Sequence, residues 1–419
     1  MTFFVFTTGC KSNQWDSHVL EERFERAGLT RAQVRHADIV VINACSVTGR
    51  AEADARRFIR QARSANPGAR IALVGCHAQA YPGRDFGADL VLGQAEKFDL
   101  DLYLSSVGRF VGKRRDLPIE EACLNGSREG RTRFFFKIQD GCDRFCSYCI
   151  VPYARGAVRS RPSAEVAATM EALERRGVKE VVLTGIDIAA YRDPSSGGGL
   201  KDLLLSLEGL PTPPRIRLSS VDPVYMDDNL IPVLASSGKM AKSIHIPVQS
   251  GSDKVLKSMG RDYKSARIKA LVEKLRAGMP EIGIGLDIMA GFPGEEEEDF
   301  DETLKLVEDL DVSYLHVFPY SDRQGARAFG FPAKVAESVK KRRARALKLV
   351  DARKREAFMR RHLGERVRII PEGKVYRGRL MRGFSDNYLP VYIPYEKTLE
   401  NNLVDVTIKE IQDGRLIGG

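Results

Sequence analysis

Residues 134–149 read FFFKIQDGCDRFCSYC, an apolar run that leads directly into three closely spaced cysteines. The run predicts a buried β-strand, and Cys142, Cys146 and Cys149 follow it with the spacing Cys-x3-Cys-x2-Cys. Three thiolates on one short loop can bind three irons of a cubane cluster and leave the fourth iron open for a reaction. A structural zinc site would need a fourth ligand, and the next cysteine upstream and the next histidine downstream are distant in sequence. The loop therefore favours an iron–sulfur cluster over zinc.

The strand at 134–139 opens a long alternation of strands and helices. Five further apolar runs follow it, with helical patterns between them: EVVLTG, RIRLSS, SIHIPVQ, GIGLDIMAGF and YLHVFPY. Six strand–helix units favour an open, partial (β/α)6 TIM-like barrel over a closed eight-stranded one. We place this barrel at residues 131–362, with a helix at 333–361 as its last element.

Residues 1–130 form a separate alternation that ends in a polar linker from about residue 96. The runs FFVFTT, IVVINA, IALVG and DLVLG predict parallel strands, and helices are predicted at residues 17–27 and 51–65. Asp16 or Ser17 would cap the first helix. This pattern is typical of a doubly wound α/β domain.

Three of these strands end just before a cysteine. Cys10 follows FFVFTTG, Cys45 follows IVVINA and Cys76 follows IALVG. The carboxyl ends of parallel strands share one edge of a sheet, which is where ligands bind in such folds. A single cysteine at a strand end is commonly only a small buried residue, but three of them favour a common metal site.

The last part of the chain, residues 363–419, changes character. VRIIPEG, VYRGRLM, YLPVYIP and LVDVTIKEI predict short strands separated by turns, and together a small all-β barrel of a kind that often binds nucleic acid. This part is nearly neutral, with nine basic and eight acidic residues, whereas residues 333–361 hold twelve lysines and arginines against three carboxylates. We therefore expect the 333–361 helix to contact a polyanion.

The composition excludes several protein classes. The chain of 419 residues is 43% hydrophobic and 29% charged with a net charge of +10, which is typical of a globular protein of two or three domains. No apolar stretch approaches the ~20 residues that a membrane span needs, and the first residues lack the basic region of a signal peptide. Clustered cysteines are typical of metal binding in a reducing compartment. We expect a cytoplasmic protein without a membrane partner.

The loop at 142–149 resembles the CxxxCxφC motif of the radical S-adenosylmethionine (SAM) enzymes, with Tyr148 at the aromatic position. In that family the open iron binds the methionine moiety of SAM, and one-electron reduction yields a 5′-deoxyadenosyl radical. The resemblance implies cofactor contacts at Tyr148 and at strand ends of the barrel, where packing or turn roles are an equal alternative. Besides Tyr148, the candidates are Thr184, Gly185, Ser219, Gln249 and Gly291, together with Arg155, which would meet a carboxylate or phosphate.

The whole chain resembles the radical SAM methylthiotransferases. The matching motifs are TTGCKSNQWDS, INACSVTGRAE, LVGCHAQ, KIQDGCDRFCSYCIVPYARG, IPVQSGSDKVLKSMGR and DIMAGFPGE, followed by a segment similar to the TRAM RNA-binding domain. The resemblance implies that one SAM methylates a sulfur on an auxiliary cluster and a second supplies the radical that activates an aromatic C–H bond. It implies two 4Fe-4S clusters, with Cys123 as a non-ligand thiol and with the ligand sets Cys142, Cys146, Cys149 and Cys10, Cys45, Cys76.

Members of this family act on isopentenyladenosine in tRNA, on threonylcarbamoyladenosine in tRNA, or on an aspartate of a ribosomal protein. GCKSNQ and KIQDGC are most similar to the second group. We therefore expect a tRNA N6-threonylcarbamoyladenosine methylthiotransferase whose partners are tRNA, an electron donor and a sulfur donor. The other two substrates remain alternatives, as does a radical SAM reaction without sulfur insertion, such as simple methylation. A non-catalytic iron–sulfur RNA-binding protein is an alternative of a different class.

Overall fold

The computed structural model describes residues 1–113, 119–120 and 132–419, so Cys123 and the polar stretch 121–131 lie outside the described residues. The described residues form two compact units that do not follow chain order. The first contains residues 1–113, 119–120, 137–160 and 321–330, and the second contains residues 132–136, 161–320 and 331–419. The cysteine loop at 142–149 thus belongs to the same unit as the amino-terminal residues.

The first unit is built on a six-stranded parallel sheet with the strand order β2-β1-β3-β4-β5-β6. Its strands are β1 (Thr2–Thr7), β2 (Thr30–Arg31), β3 (Ile39–Asn43), β4 (Arg70–Val74), β5 (Leu90–Leu92) and β6 (Gly108–Phe110). Its first helices are α1 (Lys11–Arg26), α2 (Gly49–Ala65), α3 (Cys76–Ala80) and α4 (Leu100–Ser105). Separate apolar clusters pack on the two faces of the sheet, one around Phe24 and one around Ile59. The predicted doubly wound α/β arrangement is confirmed, but the expectation of a linker from about residue 96 is wrong for residues 100–110, which form α4 and β6.

The first helix begins earlier than the sequence predicts. α1 starts at Lys11 with Cys10 as its N-cap, and Asp16 and Ser17 are buried inside the helix. The expectation that Asp16 or Ser17 caps this helix is wrong, because the Asp16 carboxylate is used in buried ion pairs. The second predicted helix is capped by Thr48, whose hydroxyl accepts the N–H of Ala51 at 3.2 Å.

The chain continues through β7 (Phe134–Lys137) into a short antiparallel pair that flanks the 142–149 loop. This pair consists of β8 (Gln139–Asp140) and β9 (Arg159–Ser160), and helix α5 (Val151–Arg155) lies between them in sequence.

The second unit contains the predicted six-stranded partial barrel as two three-stranded sheets with orders β11-β10-β7 and β12-β13-β14. The remaining strands are β10 (Glu180–Thr184), β11 (Arg215–Leu218), β12 (Ser243–Gln249), β13 (Gly283–Ala290) and β14 (Tyr314–Pro319). The helices are α6 (Ser163–Arg175), α7 (Leu200–Glu208), α8 (Leu230–Ser236), α9 (Asp253–Met259), α10 (Ser265–Gly278), α11 (Glu297–Asp309) and α12 (Glu337–Arg361). The 25-residue α12 contacts β14, the last strand of its sheet.

The carboxyl-terminal residues form a closed five-stranded barrel with the order β15-β16-β17-β19-β18. Its strands are β15 (Arg366–Tyr376), β16 (Leu380–Phe384), β17 (Pro390–Pro394), β18 (Val404–Gln412) and β19 (Arg415–Gly418). The predicted all-β barrel is confirmed, but β15 runs on through Pro371 with a shift of register, and the predicted strand VYRGRLM is divided between the end of β15 and the start of β16. The short closing strand β19 was not predicted.

None of the helices in the described ranges has both the length and the apolar composition required to traverse a lipid bilayer.

Candidate functional site

The three amino-terminal cysteines lie at one edge of the first sheet. Cys10 is the N-cap of α1 after β1, Cys45 follows β3 by two residues, and Cys76 is the first residue of α3 after β4. Because β1, β3 and β4 are neighbours in the sheet, their carboxyl ends are adjacent. The structure therefore brings together the three thiols that the sequence places at strand ends. Cys45 and Cys76 are buried and Cys10 is exposed.

The backbone around these thiols is packed too closely for side chains. A Cβ on Gly9 would lie 2.3 Å from Cys45 Cβ and 2.7 Å from its Sγ, and Gly9 has a φ of +95°. A Cβ on Gly75, with a φ of +92°, would lie 2.2 Å from Asn43 Oδ1. Glycine is required at both positions for steric and conformational reasons. The turns at Gly9 and Gly75 leave a narrow site for the sulfur atoms of Cys10, Cys45 and Cys76, which we call the cradle.

The two buried thiols of this cradle lose their protons less readily than a free cysteine. Burial, with the neighbouring Cys10 and Cys76, raises the pKa of Cys45 to about 12. Burial also raises the pKa of Cys76, although Arg155 opposes the shift. Such thiols become thiolates when a metal binds them, because the metal supplies the missing positive charge.

N–H groups donate to two of the three sulfur atoms. Cys45 Sγ accepts the backbone N–H of Val47 at 3.4 Å, and Cys76 Sγ accepts the side chains of Gln94 at 3.2 Å and Arg155 at 3.1 Å. N–H···S bonds are a regular feature of iron–sulfur sites. The buried hydroxyls of Ser12 and Ser46 find no hydrogen-bond partner among the described residues. The cradle therefore fits a cluster held by three thiolates.

A buried ion-pair network contacts the cradle through Arg155. Arg155 donates to both Asp140 and Asp16, at 3.0 and 2.8 Å, and Lys137 donates to the same two carboxylates at 2.9 and 2.7 Å. Lys97 completes it with a 2.7 Å bond to Asp16. The side chains are at most 5% exposed. Despite burial, the cations hold the pKa of Asp16 and of Asp140 well below its usual value.

This network involves residues that the sequence did not single out. Lys97 gave no signal, because its partner Asp16 is distant in sequence, and Lys137 appeared only as the first residue of the KIQDGC motif. Gln94 was also missed; its only sequence cue is its place just after β5, at the same sheet edge as the cysteines. Arg155, expected near a carboxylate or phosphate of the cofactor, instead donates to Asp16, Asp140 and Cys76 of its own unit.

The second cysteine loop, 142–149, is held by its neighbours in the β8–β9 hairpin. The Cys142 N–H donates to Gly156 O at 3.0 Å and the Cys149 N–H to Cys146 O at 2.9 Å. A Cβ on Gly141 would lie 1.8 Å from Ala157 O, so this position also requires glycine. Within the loop, Cys146 is buried, whereas Tyr148 and the other two cysteines are half-buried. Three thiols on one turn form a second candidate cluster site.

The predicted cofactor residues of the second unit lie at the carboxyl ends of four successive barrel strands. These residues are Thr184 and Gly185 at β10, Ser219 after β11, Gln249 at β12 and Gly291 after β13. The side-chain oxygens of Ser219 and Gln249 are buried and have no partner among the described residues. Gln249 also has a φ of +75°, which is a strained conformation for a residue with a side chain. Unsatisfied polar atoms and strain at strand ends are the features expected of a ligand site.

A third group of polar side chains lies on the β12-β13-β14 sheet. Asp287 Oδ1 is 3.0 Å from His245 Nε2 and 2.7 Å from His316 Nδ1, and Tyr314 Oη is 3.1 Å from His245 Nδ1. Despite burial, hydrogen bonds to the two imidazoles lower the pKa of Asp287, while the hydrogen bond to Asp287 raises the pKa of His316. His245, Asp287 and His316 each offer one potential metal-ligand atom, and these three atoms lie within 4.8 Å of one another. The same holds for Glu281, His362 and Glu365.

Two family profiles match the chain. The Radical SAM superfamily matches residues 136–307, and a family described as uncharacterized protein family UPF0004 matches residues 2–93. The first match contains the 142–149 loop and the second contains Cys10, Cys45 and Cys76.

Several curated proteins are similar over nearly the whole chain. The threonylcarbamoyladenosine tRNA methylthiotransferase MtaB of Rickettsia prowazekii (strain Madrid E) is 36% identical over 92% of this chain and 90% of its own. The MtaB of Bacillus subtilis (strain 168) is 33% identical over 96% and 92%. The tRNA-2-methylthio-N(6)-dimethylallyladenosine synthase of Bartonella tribocorum (strain CIP 105476 / IBS 506) is 31% identical over 99% and 95%.

Similarity to a solved structure supports the fold and nothing further. The radical SAM methyltransferase TsrM of Kitasatospora setae, with tryptophan and a SAM analogue bound, superposes with a TM-score of 0.56 at 16% identity. The match covers 75% of this chain and 72% of that one.

Proposed function

Because the chain belongs to the radical SAM methylthiotransferase family, we propose that it attaches a methylthio group to C2 of N6-threonylcarbamoyladenosine in tRNA, beside the anticodon. The observation that carries this proposal is the convergence of Cys10, Cys45 and Cys76 at one sheet edge. Radical SAM chemistry alone needs one cluster, whereas sulfur insertion calls for a second site. Relatives named for the threonylcarbamoyl substrate, at 33–36% identity, favour it over the isopentenyl one at 31–32%.

The first cofactor site is the 142–149 loop. The enzyme uses SAM and a 4Fe-4S cluster, as its superfamily does, and we assign the cluster to Cys142, Cys146 and Cys149. When bound, this pair of cofactors supplies the one-electron chemistry that produces a 5′-deoxyadenosyl radical. Gly141 and the hairpin hold the loop in one conformation, so the thiols keep their positions.

The second cofactor site holds an auxiliary 4Fe-4S cluster on Cys10, Cys45 and Cys76. The paired glycines, the N–H···S donors and the unsatisfied serine hydroxyls support this assignment. The chain's own contribution is to exclude water from Cys45 and Cys76 and to keep their sulfurs hydrogen-bonded.

Cofactor contacts in the barrel come from strand ends. Ser219 and Gln249 offer buried oxygens without partners in the described part of the chain, and both are suited to polar groups of SAM. Thr184, Gly185, Gly291 and Tyr148 remain proposed contacts on position alone.

We assign the contacts with tRNA phosphates to one face of α12. Many of its cations form ion pairs with carboxylates elsewhere in the chain, for example Arg342 with Glu297 and Arg361 with Asp311. Three exposed cations make no ion pair within the described residues and recur at intervals of four and three residues along one helix face: Lys341, Arg345 and Lys348. These three, which we call the α12 stripe, are the proposed phosphate contacts.

We assign one role to each of the three domains predicted from the sequence. Residues 1–130 carry the auxiliary cluster, residues 131–362 the radical SAM barrel, and residues 363–419 a TRAM-like barrel. The reaction also requires an electron donor and a sulfur donor as partners. A tRNA substrate places the proposed site of action in the cytoplasm.

Nucleoside mass spectrometry tests the function. The anaerobically reconstituted protein, with SAM, a reductant and sulfide, is given tRNA bearing either threonylcarbamoyladenosine or isopentenyladenosine. We expect a 2-methylthio product from the first tRNA alone. Product from the second alone would overturn the substrate, and product from neither, with SAM cleaved, would redirect the search to a ribosomal protein or another target. Tight tRNA binding with no SAM cleavage would favour a non-catalytic RNA-binding protein.

A further inference from the structure

We propose that Arg155 and Gln94 raise the reduction potential of the auxiliary cluster by donating hydrogen bonds to Cys76 Sγ. This inference rests on the proposed function in one respect, the placement of a cluster on Cys10, Cys45 and Cys76. The role is one of tuning and positioning, since neither residue is a metal ligand.

The three ligand sulfurs differ in the hydrogen bonds that they accept. Cys76 Sγ accepts two side-chain N–H groups, from Arg155 Nε at 3.1 Å and from Gln94 Nε2 at 3.2 Å. Within the described residues, Cys45 Sγ accepts only a backbone N–H, from Val47 at 3.4 Å, and Cys10 is exposed. The iron bound by Cys76 therefore has the most strongly stabilised thiolate of the three.

The orientation of the Arg155 guanidinium is fixed by its other hydrogen-bond partners. One terminal nitrogen donates to both oxygens of Asp140 at 3.0 Å, and the other donates to Asn13 Oδ1 at 2.6 Å and Asp16 at 2.8 Å. Because the guanidinium is planar, fixing these two nitrogens also fixes the direction of the Nε–H bond. A lysine carries all its donors on one nitrogen and therefore does not reproduce this planar arrangement.

Gln94 is held in a similar way. Its side-chain oxygen accepts from Lys97, whose ammonium is bound to Asp16, so the amide nitrogen is turned towards Cys76. Lys97 thus orients this donor and adds a second buried cation near the sulfur.

The expected effect on potential has a clear sign. A cluster becomes more negative by one charge when it is reduced, and N–H···S bonds and nearby cations stabilise that extra charge. The stabilisation is large in a buried environment, where the effective dielectric constant is low. Removing a donor should therefore shift the midpoint potential to a more negative value.

The network also connects the two cysteine sites through the chain. Arg155 lies six residues after Cys149, and Asp140 lies two residues before Cys142. The residues that fix the 142–149 loop thus also determine where the Nε–H of Arg155 points.

The test measures the auxiliary cluster by itself. Full-length protein carrying Cys142→Ala, Cys146→Ala and Cys149→Ala is reconstituted anaerobically, and its remaining cluster is titrated with dithionite while the EPR signal is followed. Gln94→Met, which keeps the volume but has no N–H donor, and Arg155→Lys are compared in this background. Arg159→Lys is the matched control, because Arg159 lies 3.5 Å from Asp140 but contacts no sulfur among the described residues.

We expect Gln94→Met and Arg155→Lys each to lower the midpoint potential and Arg159→Lys to leave it unchanged. A cluster that assembles fully in Gln94→Met with an unaltered potential would overturn the inference. If Arg155→Lys does not assemble a cluster, Gln94→Met decides the question alone. Absence of any cluster in the parent protein with Arg155 and Gln94 intact would instead contradict the proposed auxiliary cluster, so the two failures are distinguishable.

Discussion

Lys137 and Asp16 are 121 residues apart in sequence and form a buried ion pair with an Nζ–Oδ1 distance of 2.7 Å. Asp16 lies in α1, which begins just after Cys10, and Lys137 ends β7, five residues before Cys142. The pair therefore ties the segment that follows one cysteine site to the segment that precedes the other.

Replacing Lys137 with methionine should destabilise the protein. The substitution keeps an apolar stem of similar length but leaves Asp16 and Asp140 with fewer positive partners in a buried site. Removing one partner of a buried pair costs about 3 to 5 kcal/mol, and we expect a loss of that size in the free energy of unfolding measured with urea. Arg57→Met, which removes an exposed pair with Asp54, is the control and should cost less than about 1 kcal/mol. Equal losses from the two variants would contradict the importance of the network.

The same network predicts a loss of stability in acid. Asp16 and Asp140 have a lower pKa in the folded protein than in the unfolded chain, so they stabilise the fold at every pH above the unfolded value of about 4. As the pH falls below about 4, the unfolded chain takes up protons before the folded protein does, and this stability is lost. Urea unfolding of the cluster-free protein between pH 6 and pH 3 should show this decline. The decline should be smaller in Asp140→Asn, and an identical profile in that variant would count against the assignment.

The position of Gly9 provides a steric test of the cradle. A Cβ there would overlap Cys45, whereas Gly28, which also has a positive φ of +83°, has nothing within 4 Å of such a Cβ. Both Gly9→Ala and Gly28→Ala carry the conformational cost of a positive φ. Only Gly9→Ala should lose the proposed auxiliary cluster, seen as a fall in iron and sulfide content after reconstitution. Full iron content in Gly9→Ala would show that the cradle is not a metal site.

Much of the site could be predicted from sequence because its cysteines follow apolar runs. The runs before Cys10, Cys45 and Cys76 predict parallel strands, and parallel strands place their ends at one edge. The roles of Lys137 and Lys97 could not be predicted, since a lysine whose partner is 121 or 81 residues away leaves no periodic signal. The start of α1 was missed because its N-cap, Cys10, makes no side-chain capping bond, whereas Asp16 and Ser17 are typical capping residues.

The basic segment shows a second limit of sequence reasoning. Counting charges at 333–361 gives one strongly cationic helix, but the count does not show that Arg342, Arg353 and Arg361 pair with carboxylates of the barrel. Those carboxylates belong to α11 and the residues next to it, so the pairing appears only once the fold is known.

The α12 stripe should govern the salt dependence of tRNA binding. Lys341→Ala, Arg345→Ala and Lys348→Ala, combined, remove three proposed phosphate contacts. The slope of log K against log salt should then become shallower by about 2 to 3, as measured by filter binding at several salt concentrations. The control is a triple alanine variant at Arg342, Arg353 and Arg361, which removes the same charge from paired positions. Equal slopes in the two variants would mean that the stripe acts only through net charge.

The central claim is that Cys10, Cys45 and Cys76 serve sulfur insertion while Cys142, Cys146 and Cys149 serve SAM cleavage. The most direct measurement is the yield of 5′-deoxyadenosine and of 2-methylthio nucleoside from Cys10→Ala, Cys45→Ala and Cys76→Ala combined, with tRNA bearing threonylcarbamoyladenosine. We predict that 5′-deoxyadenosine still forms and that no methylthio nucleoside does. Methylthio product at the wild-type level from this variant would contradict the claim.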